Sequence, residues 1–330
     1  MAVAIIGAGL AGLTCAERLA AKGVDVAVFD KGRGPGGRMS TRRAETSIGQ
    51  VRFDHGAQFI SPASADFAQQ LETWATAGFL APWNGRFVTV AEDGAVSTTN
   101  NAPRWVGKPA MNALIRALSD PFDVNWATRI ESITGSAGAW NLNTQERAAS
   151  FGPFEKVLLA IPAEQVGALL DEVATNLSKG ANGVVSVPSW TAMLAFDTAI
   201  GCDFDAAKIA AMTLGWAARN NSKPDRGPHE AWVVQASADW SAAHLEDEPD
   251  TVANALFQAF RALTGAPTPV HAAVHRWRYS QAEKPLGFSH QYDPGLGLGT
   301  CGDWHLGGKC EDAWKSGRAL ADTLFDTQPQ

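Results

Sequence analysis

Six residues close to the amino terminus have a type and spacing suited to holding phosphate. Gly7-Ala8-Gly9-Leu10-Ala11-Gly12 follows a short apolar run, Ala2-Val3-Ala4-Ile5-Ile6, and precedes a helical pattern of Leu13, Ala16, Leu19 and Ala20 that stops at Gly23. A second apolar run, residues 24–29, ends on Asp30. Strand, glycine turn, helix, strand and acid is the order of a dinucleotide-binding fingerprint. Gly7 permits the tight turn. Gly9 offers no side chain, so a pyrophosphate can approach the backbone, and Gly12 lets the helix lie close to the sheet. The free N–H groups of the helix start at Leu10 and Ala11, helped by the helix dipole, hold the phosphate charge. Asp30 is placed to accept hydrogen bonds from an adenosine ribose. The competing reading is a tight strand-to-helix turn that binds nothing.

The next stretch is Lys31-Gly32-Arg33-Gly34-Pro35-Gly36-Gly37-Arg38-Met39-Ser40. A glycine-dense loop after a strand brings backbone N–H groups and the Arg38 guanidinium together, and such a loop wraps a second face of a pyrophosphate. A plain NAD fold runs from its acid into another helix, so Lys31, Gly37, Arg38 and Met39 favour FAD; a flexible surface loop is the alternative. No second fingerprint follows. Gly295-Leu296-Gly297-Leu298-Gly299 has the wrong spacing and continues into a strand. Any pyridine nucleotide must therefore enter the substrate pocket itself.

The pairing of glycine fingerprint and Gly36-Gly37-Arg38 loop resembles the FAD-binding signature of the flavin amine oxidase superfamily. The resemblance extends to Asp54-His55-Gly56-Ala57-Gln58-Phe59, which matches the segment beside the flavin ring and implies that Gly56, Ala57, Gln58 and Phe59 line it. Thr128-Arg129-Ile130-Glu131 resembles the strand whose backbone touches adenine, at Ile130. Residues 157–162 resemble the apolar strand closing the β-meander of the FAD domain. Near the carboxyl terminus, Gly302-Asp303-Trp304 and the helix opening at Gly307-Gly308 resemble the segment in which an acid, here Asp303, holds the ribityl chain or pyrophosphate. There the helix start, Gly308 to Cys310, points its N–H groups at the flavin pyrimidine carbonyl, which stabilises reduced flavin. Asp303 also reads as a helix N-cap, and the two roles can coexist. No residue matches the cysteine that tethers FAD in monoamine oxidases, so the resemblance implies non-covalent FAD.

Several stretches resemble bacterial renalase-like proteins more narrowly. They are residues 36–40, 190–197, 215–224, 232–241 and, most specifically, His275-Arg276-Trp277-Arg278-Tyr279-Ser280-Gln281-Ala282. That family oxidises dihydronicotinamide dinucleotides carrying the hydride on the wrong ring carbon, returns NAD(P)+, and passes the electrons to O2 to form H2O2. The residues accommodate this chemistry. A dihydropyridine expels hydride with its own nitrogen electrons, so stacking and water exclusion suffice and no general base is needed. No Ser-His-Asp or paired-carboxylate pattern stands out, and two tyrosines (Tyr279 and Tyr292) make a tyrosine-walled amine site improbable, although tryptophans can substitute. The alternatives are a flavin amine oxidase or desaturase acting on a small amine or apolar substrate, and a flavin-binding sensor without turnover. Pocket candidates are Trp190, Asn220, Trp232, Gln235, Trp240, His244 and Arg278. Each tryptophan also reads as core, His244 as an ordinary helix residue, and Asn220 either as a turn residue or as a partner for a carboxamide. Arg278 and Lys223 read as phosphate ligands or as solvated charges.

The 330 residues include 45% hydrophobic and 18% charged, a globular balance, and the net charge of −7 draws the chain neither to nucleic acid nor to anionic lipid. Basic residues are scattered apart from Arg38, Arg42 and Arg43. With no long apolar run, no signal peptide and four dispersed cysteines, the chain reads as cytoplasmic, with reduced thiols and no metal site. Oligomeric state is not legible. The expected fold is α/β. A Rossmann-like FAD domain with a parallel sheet and β-meander (1–60, 104–167 and 269–330) is interleaved with an α+β substrate domain on a mixed sheet (61–103 and 168–268), in the manner of amine oxidases and p-hydroxybenzoate hydroxylase. Pro103 and the Gly265-Ala266-Pro267-Thr268-Pro269 stretch mark the crossings.

Overall fold

The computed structural model describes residues 2–99, 102–144, 149–210 and 212–326. The remaining positions of the two expected domains lie outside the described residues. The chain divides into two compact units: Met1–Gly37, Ile115–Ser186 and Gln281–Gln330 form the first, and Arg38–Leu114 and Val187–Ser280 the second.

The first unit is built on a six-stranded sheet in the order Gln291–Asp293, Leu298–Thr300, Lys156–Leu159, Ala2–Ile6, Asp25–Phe29 and Val124–Asn125. Neighbours run parallel except at the Gln291–Asp293 edge, which is antiparallel. Val3, Ala4, Ile5, Val157, Leu158 and Leu159 are fully buried, as a parallel strand covered on both faces requires. This places Lys156–Leu159 inside the parallel sheet. The antiparallel meander consists of Ile130–Ser136, Ala139–Thr144 and Ser150–Phe154 and precedes that strand rather than including it. The helix Leu10–Ala20 connects the first two parallel strands.

The second unit centres on a seven-stranded mixed sheet, in which Val185–Phe196, Glu230–Ala236 and Leu214–Arg219 lie side by side. Alternation assigns its faces. Trp190, Ala192, Leu194, Phe196, Trp232 and Val234 pack against Val252, Leu256 and Phe260 of the helix Pro249–Thr264. Met193, Ala195, Ala231 and Val233 point the other way, onto Val51 and Phe53 of the hairpin Thr41–Thr46 and Gly49–Asp54.

The borders differ from those read in the sequence, because proline and glycine mark turns rather than changes of packing partner. The hairpin up to Asp54 belongs to the second unit through Val51 and Phe53. The helices Ala163–Leu170 and Thr175–Asn182 belong to the first, through Val166, Leu170, Leu177 and Ala181. Most of the strand His271–Lys284 stays with the second unit, beside Val185–Phe196. Among the described residues, no helix is long and apolar enough to cross a membrane, and no group of three or more His, Cys, Asp or Glu could hold a metal ion.

The helix Cys310–Asp326 meets Leu10–Ala20 through a glycine: a Cβ at Gly317 would lie 2.2 Å from the Ala11 carbonyl oxygen. Gly317→Ala therefore forces the helices apart. The clash outweighs the helix-propensity gain of about 1 kcal/mol, and chemical denaturation should register a net loss of about 1–3 kcal/mol. An unchanged or raised stability would contradict this packing.

Candidate functional site

In the first unit the glycine turn has the form its residues dictate. Gly7 takes φ +110°, and a Cβ there would sit 2.4 Å from the Ala160 carbonyl oxygen; a Cβ at Gly12 would sit 1.9 Å from the Gly7 carbonyl oxygen. Nothing lies within 4 Å of where a Gly9 Cβ would be, so the backbone is open there. Gly9 is the N-cap of Leu10–Ala20, which has no side-chain cap and no acid in its first turn. The initial N–H groups thus form a positive helix end that neither a capping side chain nor an acid of its own first turn neutralises. Across from it, Gly37 (φ +54°) places its Cβ position 3.9 Å from the Gly9 Cα, so the arginine loop does return to the fingerprint.

Asp30 splits its carboxylate between two loops. Oδ2 accepts from the Ala8 N–H at 2.7 Å and Oδ1 from the Gly32 N–H at 2.6 Å. Each oxygen keeps a lone pair for a ribose hydroxyl. Lys31 donates to the Gln165 side chain at 3.0 Å. Ile130 is buried at the start of the meander. Asp303 is buried in the turn Asp303–His305. Of the N–H groups expected to face a flavin carbonyl, those of Gly308 and Lys309 already donate to Asp312 Oδ2, at 3.1 and 3.0 Å, just before Cys310 opens its helix. The open Gly9 backbone, the uncapped helix and the Asp30 carboxylate fit the adenosine diphosphate half of FAD.

In the second unit, residues 54–59 form an irregular segment whose backbone carbonyls are all claimed between 54 and 56. Gln58 Nε2 donates to the Asp54 carbonyl at 2.5 Å and the Gly56 carbonyl at 3.0 Å. Gln235 Nε2 also donates to the Gly56 carbonyl at 3.1 Å, and Trp277 Nε1 to that of His55 at 2.9 Å. Ala57 donates its N–H to the Arg38 carbonyl at 2.8 Å, and a Cβ at Gly56 would lie 2.0 Å from that same oxygen, so only glycine fits. Arg38 Nη1 donates to the Ser280 carbonyl at 3.3 Å. Met39 is buried. Phe59 is half-buried, its ring 5.6 Å from that of Trp216.

Beneath the segment lies a buried charge cluster. The Asp54 carboxylate accepts from Thr41 Oγ1 (2.7 Å), Met111 N–H (3.1 Å), Arg226 Nε and Nη2 (2.9 and 2.8 Å) and Lys223 Nζ (3.3 Å). Lys223 also donates to Gln58 Oε1 at 3.2 Å. Burial alone would raise the Asp54 carboxyl; the Lys223 and Arg226 charges prevail and hold it at about 2. Burial, reinforced by Arg226 and opposed by Asp54, pulls Lys223 down to about 8. Burial, then His275 and Arg42, keeps His55 neutral, at about 4.

The pocket candidates separate. Trp190 and Trp232 are core: their Nε1 atoms donate to the His244 carbonyl and to Glu230, and both rings face the helix Pro249–Thr264. Gln235, on the opposite face of its strand, is the candidate that reaches the 54–59 segment. Asn220 is fully buried and stands in for a strand neighbour, accepting from the Asp54 N–H and donating to the Arg52 carbonyl. It is neither a turn surface residue nor free for a substrate carboxamide. His244 caps the helix Ala238–Ala243, stacks on Trp240 at 4.1 Å and pairs with Asp247 at 2.7 Å. Arg278 grips Glu246 with two nitrogens, at 2.5 and 2.9 Å. Lys223 is neither solvated nor a phosphate ligand. Asp54 and Arg226 were missed; an acid closing the apolar alternation Val51–Phe53 was the available signal.

Asp54→Asn would leave two buried cations against a neutral amide and should cost about 3–5 kcal/mol at neutral pH. The Asp54 contribution is present above the ordinary carboxyl value and lost as the pH falls through about 2. Lys223 gives the same sign of pH dependence, in a higher window. With its folded value at about 8 and its ordinary value at 10.5, the unfolded chain binds more protons in between, so stability rises with pH across that window. The wild type should gain stability from pH 8 to 10 relative to Lys223→Met; parallel profiles would show that Lys223 is not buried as a cation. Gly9→Val, whose side chain enters open space, should leave the flavin-free protein about as stable and abolish flavin retention.

An NAD(P)-binding Rossmann-like domain model matches residues 5–72. Over whole chains, the structure is similar to a protein provisionally assigned as a protoporphyrinogen oxidase from Exiguobacterium sp. 255-15, with a TM-score of 0.76 at 12% identity, covering 99% of each chain. It is also similar to putrescine oxidase bound to putrescine, with a TM-score of 0.70 at 13% identity and 99% of each chain covered. The chain thus has the mixed α/β fold, with a Rossmann-like domain, that these proteins share.

Proposed function

We propose that the protein is an FAD-dependent oxidase that takes hydride from 2- or 6-dihydro isomers of NAD(P)H and returns NAD(P)+. The FAD is held non-covalently, by the fingerprint, Asp30 and the arginine loop. Bound FAD would supply a two-electron acceptor that O2 reoxidises with release of H2O2. The chain's own contribution is positioning. The doubly claimed Gly56 carbonyl and the anchored His55 carbonyl fix the 54–59 backbone before any substrate arrives, and fixed geometry is what a hydride transfer between stacked rings needs.

One observation carries the choice of donor. The carboxylate of the 54–59 segment itself, Asp54, is already matched by Lys223 and Arg226. An ammonium substrate would find this counter-charge taken, whereas a neutral dihydropyridine needs none. His55, held neutral by burial, likewise fits a reaction without a protonated acid. The second reading, an amine oxidase or desaturase, draws on the fold likeness to putrescine oxidase.

Anaerobic mixing of the flavin-loaded protein with each donor separates them. The 2- and 6-dihydro isomers should bleach the flavin within seconds, with putrescine and ordinary NAD(P)H far slower. Rapid bleaching by an amine alone would overturn the proposal.

A further inference from the structure

In an acidic chain, residues 38–52 carry Arg38, Arg42, Arg43 and Arg52 against Glu45 alone. Glu45 is occupied by the Gln50 amide at 2.6 Å, and Asp54 by Lys223 and Arg226. Among the described residues, Arg42 has neither an ion pair nor a hydrogen-bond partner for its exposed guanidinium. Its place in the hairpin is set by register. Arg42 pairs with Phe53, whose ring stacks 5.8 Å from His271, while Arg43 pairs with Arg52 on the opposite face. His271 and His275 share one face of the edge strand His271–Lys284, with Trp277 next along it. His275 lies 4.3 Å from Trp277 and 4.9 Å from His55, ring to ring. His271 Nε2 is buried and has no partner among the described residues. Burial first, and the Arg42 charge next, lowers the pKa of both imidazoles, which favours the neutral ring with its one N–H donor.

A guanidinium without a counter-ion, two imidazole donors and a half-exposed indole form a surface suited to a phosphate adjoining a flat heterocycle. We propose that Arg42, His271 and His275 bind the pyrophosphate of the dinucleotide substrate. This rests on the hydride-donor reading above and deepens it, since the same hairpin repels a cationic amine.

The test uses ADP-ribose, which carries the pyrophosphate and adenosine but no hydride, titrated calorimetrically into the flavin-loaded protein. Arg42→Gln should weaken ADP-ribose at least about tenfold, as for loss of one charge-assisted contact. KM for the dinucleotide isomers should rise by a similar factor while kcat holds. Adenosine, lacking phosphate, should bind both proteins alike. The double variant Arg43→Gln/Arg52→Gln removes more charge from the other face and should change ADP-ribose affinity less than about twofold at matched salt. Equal affinity in wild type and Arg42→Gln, an equal loss in the double variant, or no binding by the wild type would overturn the inference. Failure of the parent reading shows separately: a phosphate-free dihydronicotinamide riboside isomer should bleach wild type and Arg42→Gln alike, and if it bleaches neither, the donor assignment falls whatever ADP-ribose does.

Discussion

The helix end at Gly9 is the constraint around which the first unit is arranged. A helix N-terminus normally finds an internal oxygen for its first N–H groups. Here the N-cap has no side chain, the first turn has no acid, and the space above Gly9 is open. The neighbouring carboxylate, Asp30, instead serves the turn before the helix and the loop after the second strand. Such an arrangement leaves positive potential available to an external anion. Gly7 and Gly12 serve the same end indirectly, because only their lack of Cβ lets the turn, the helix and Ala160 come close enough to aim those N–H groups.

The second unit solves a different problem: how to hold an irregular backbone still. Residues 54–56 belong to no ladder along most of their length, yet each carbonyl has a donor from Gln58, Gln235 or Trp277. Gln58 is oriented in turn by Lys223, and Lys223 by Asp54. The chain of dependence runs from one buried carboxylate to the conformation of the segment that resembles a flavin-lining strip. Burying the Lys223 ammonium is costly, and burial first, then the Arg226 charge, pulls it down against the Asp54 carboxylate.

What the sequence made legible was local. The fingerprint and the return of the glycine-dense loop follow from glycine placement and apolar period, and each involves neighbours in the chain. The faces of Trp190 and Trp232 were also readable, since both fall in register with Ala192, Leu194 and Val234 rather than with Gln235. Asn220 and Lys223 were not. Their partners are Asp54 and the backbone around it, 166 and 169 positions away, and a polar residue after a strand looks the same whether it meets water or a buried acid. The domain borders failed for a related reason: which sheet a hairpin packs on is decided by distant apolar residues such as Met193 and Val233.

We propose that the open helix end and its two loops hold FAD without a covalent bond. Denaturing the purified yellow protein with acid and analysing the supernatant tests it most directly. Intact FAD should appear in solution, close to one per chain, above a colourless pellet. Flavin remaining in the pellet, FMN in place of FAD, or a colourless protein that FAD cannot reconstitute would contradict the proposal.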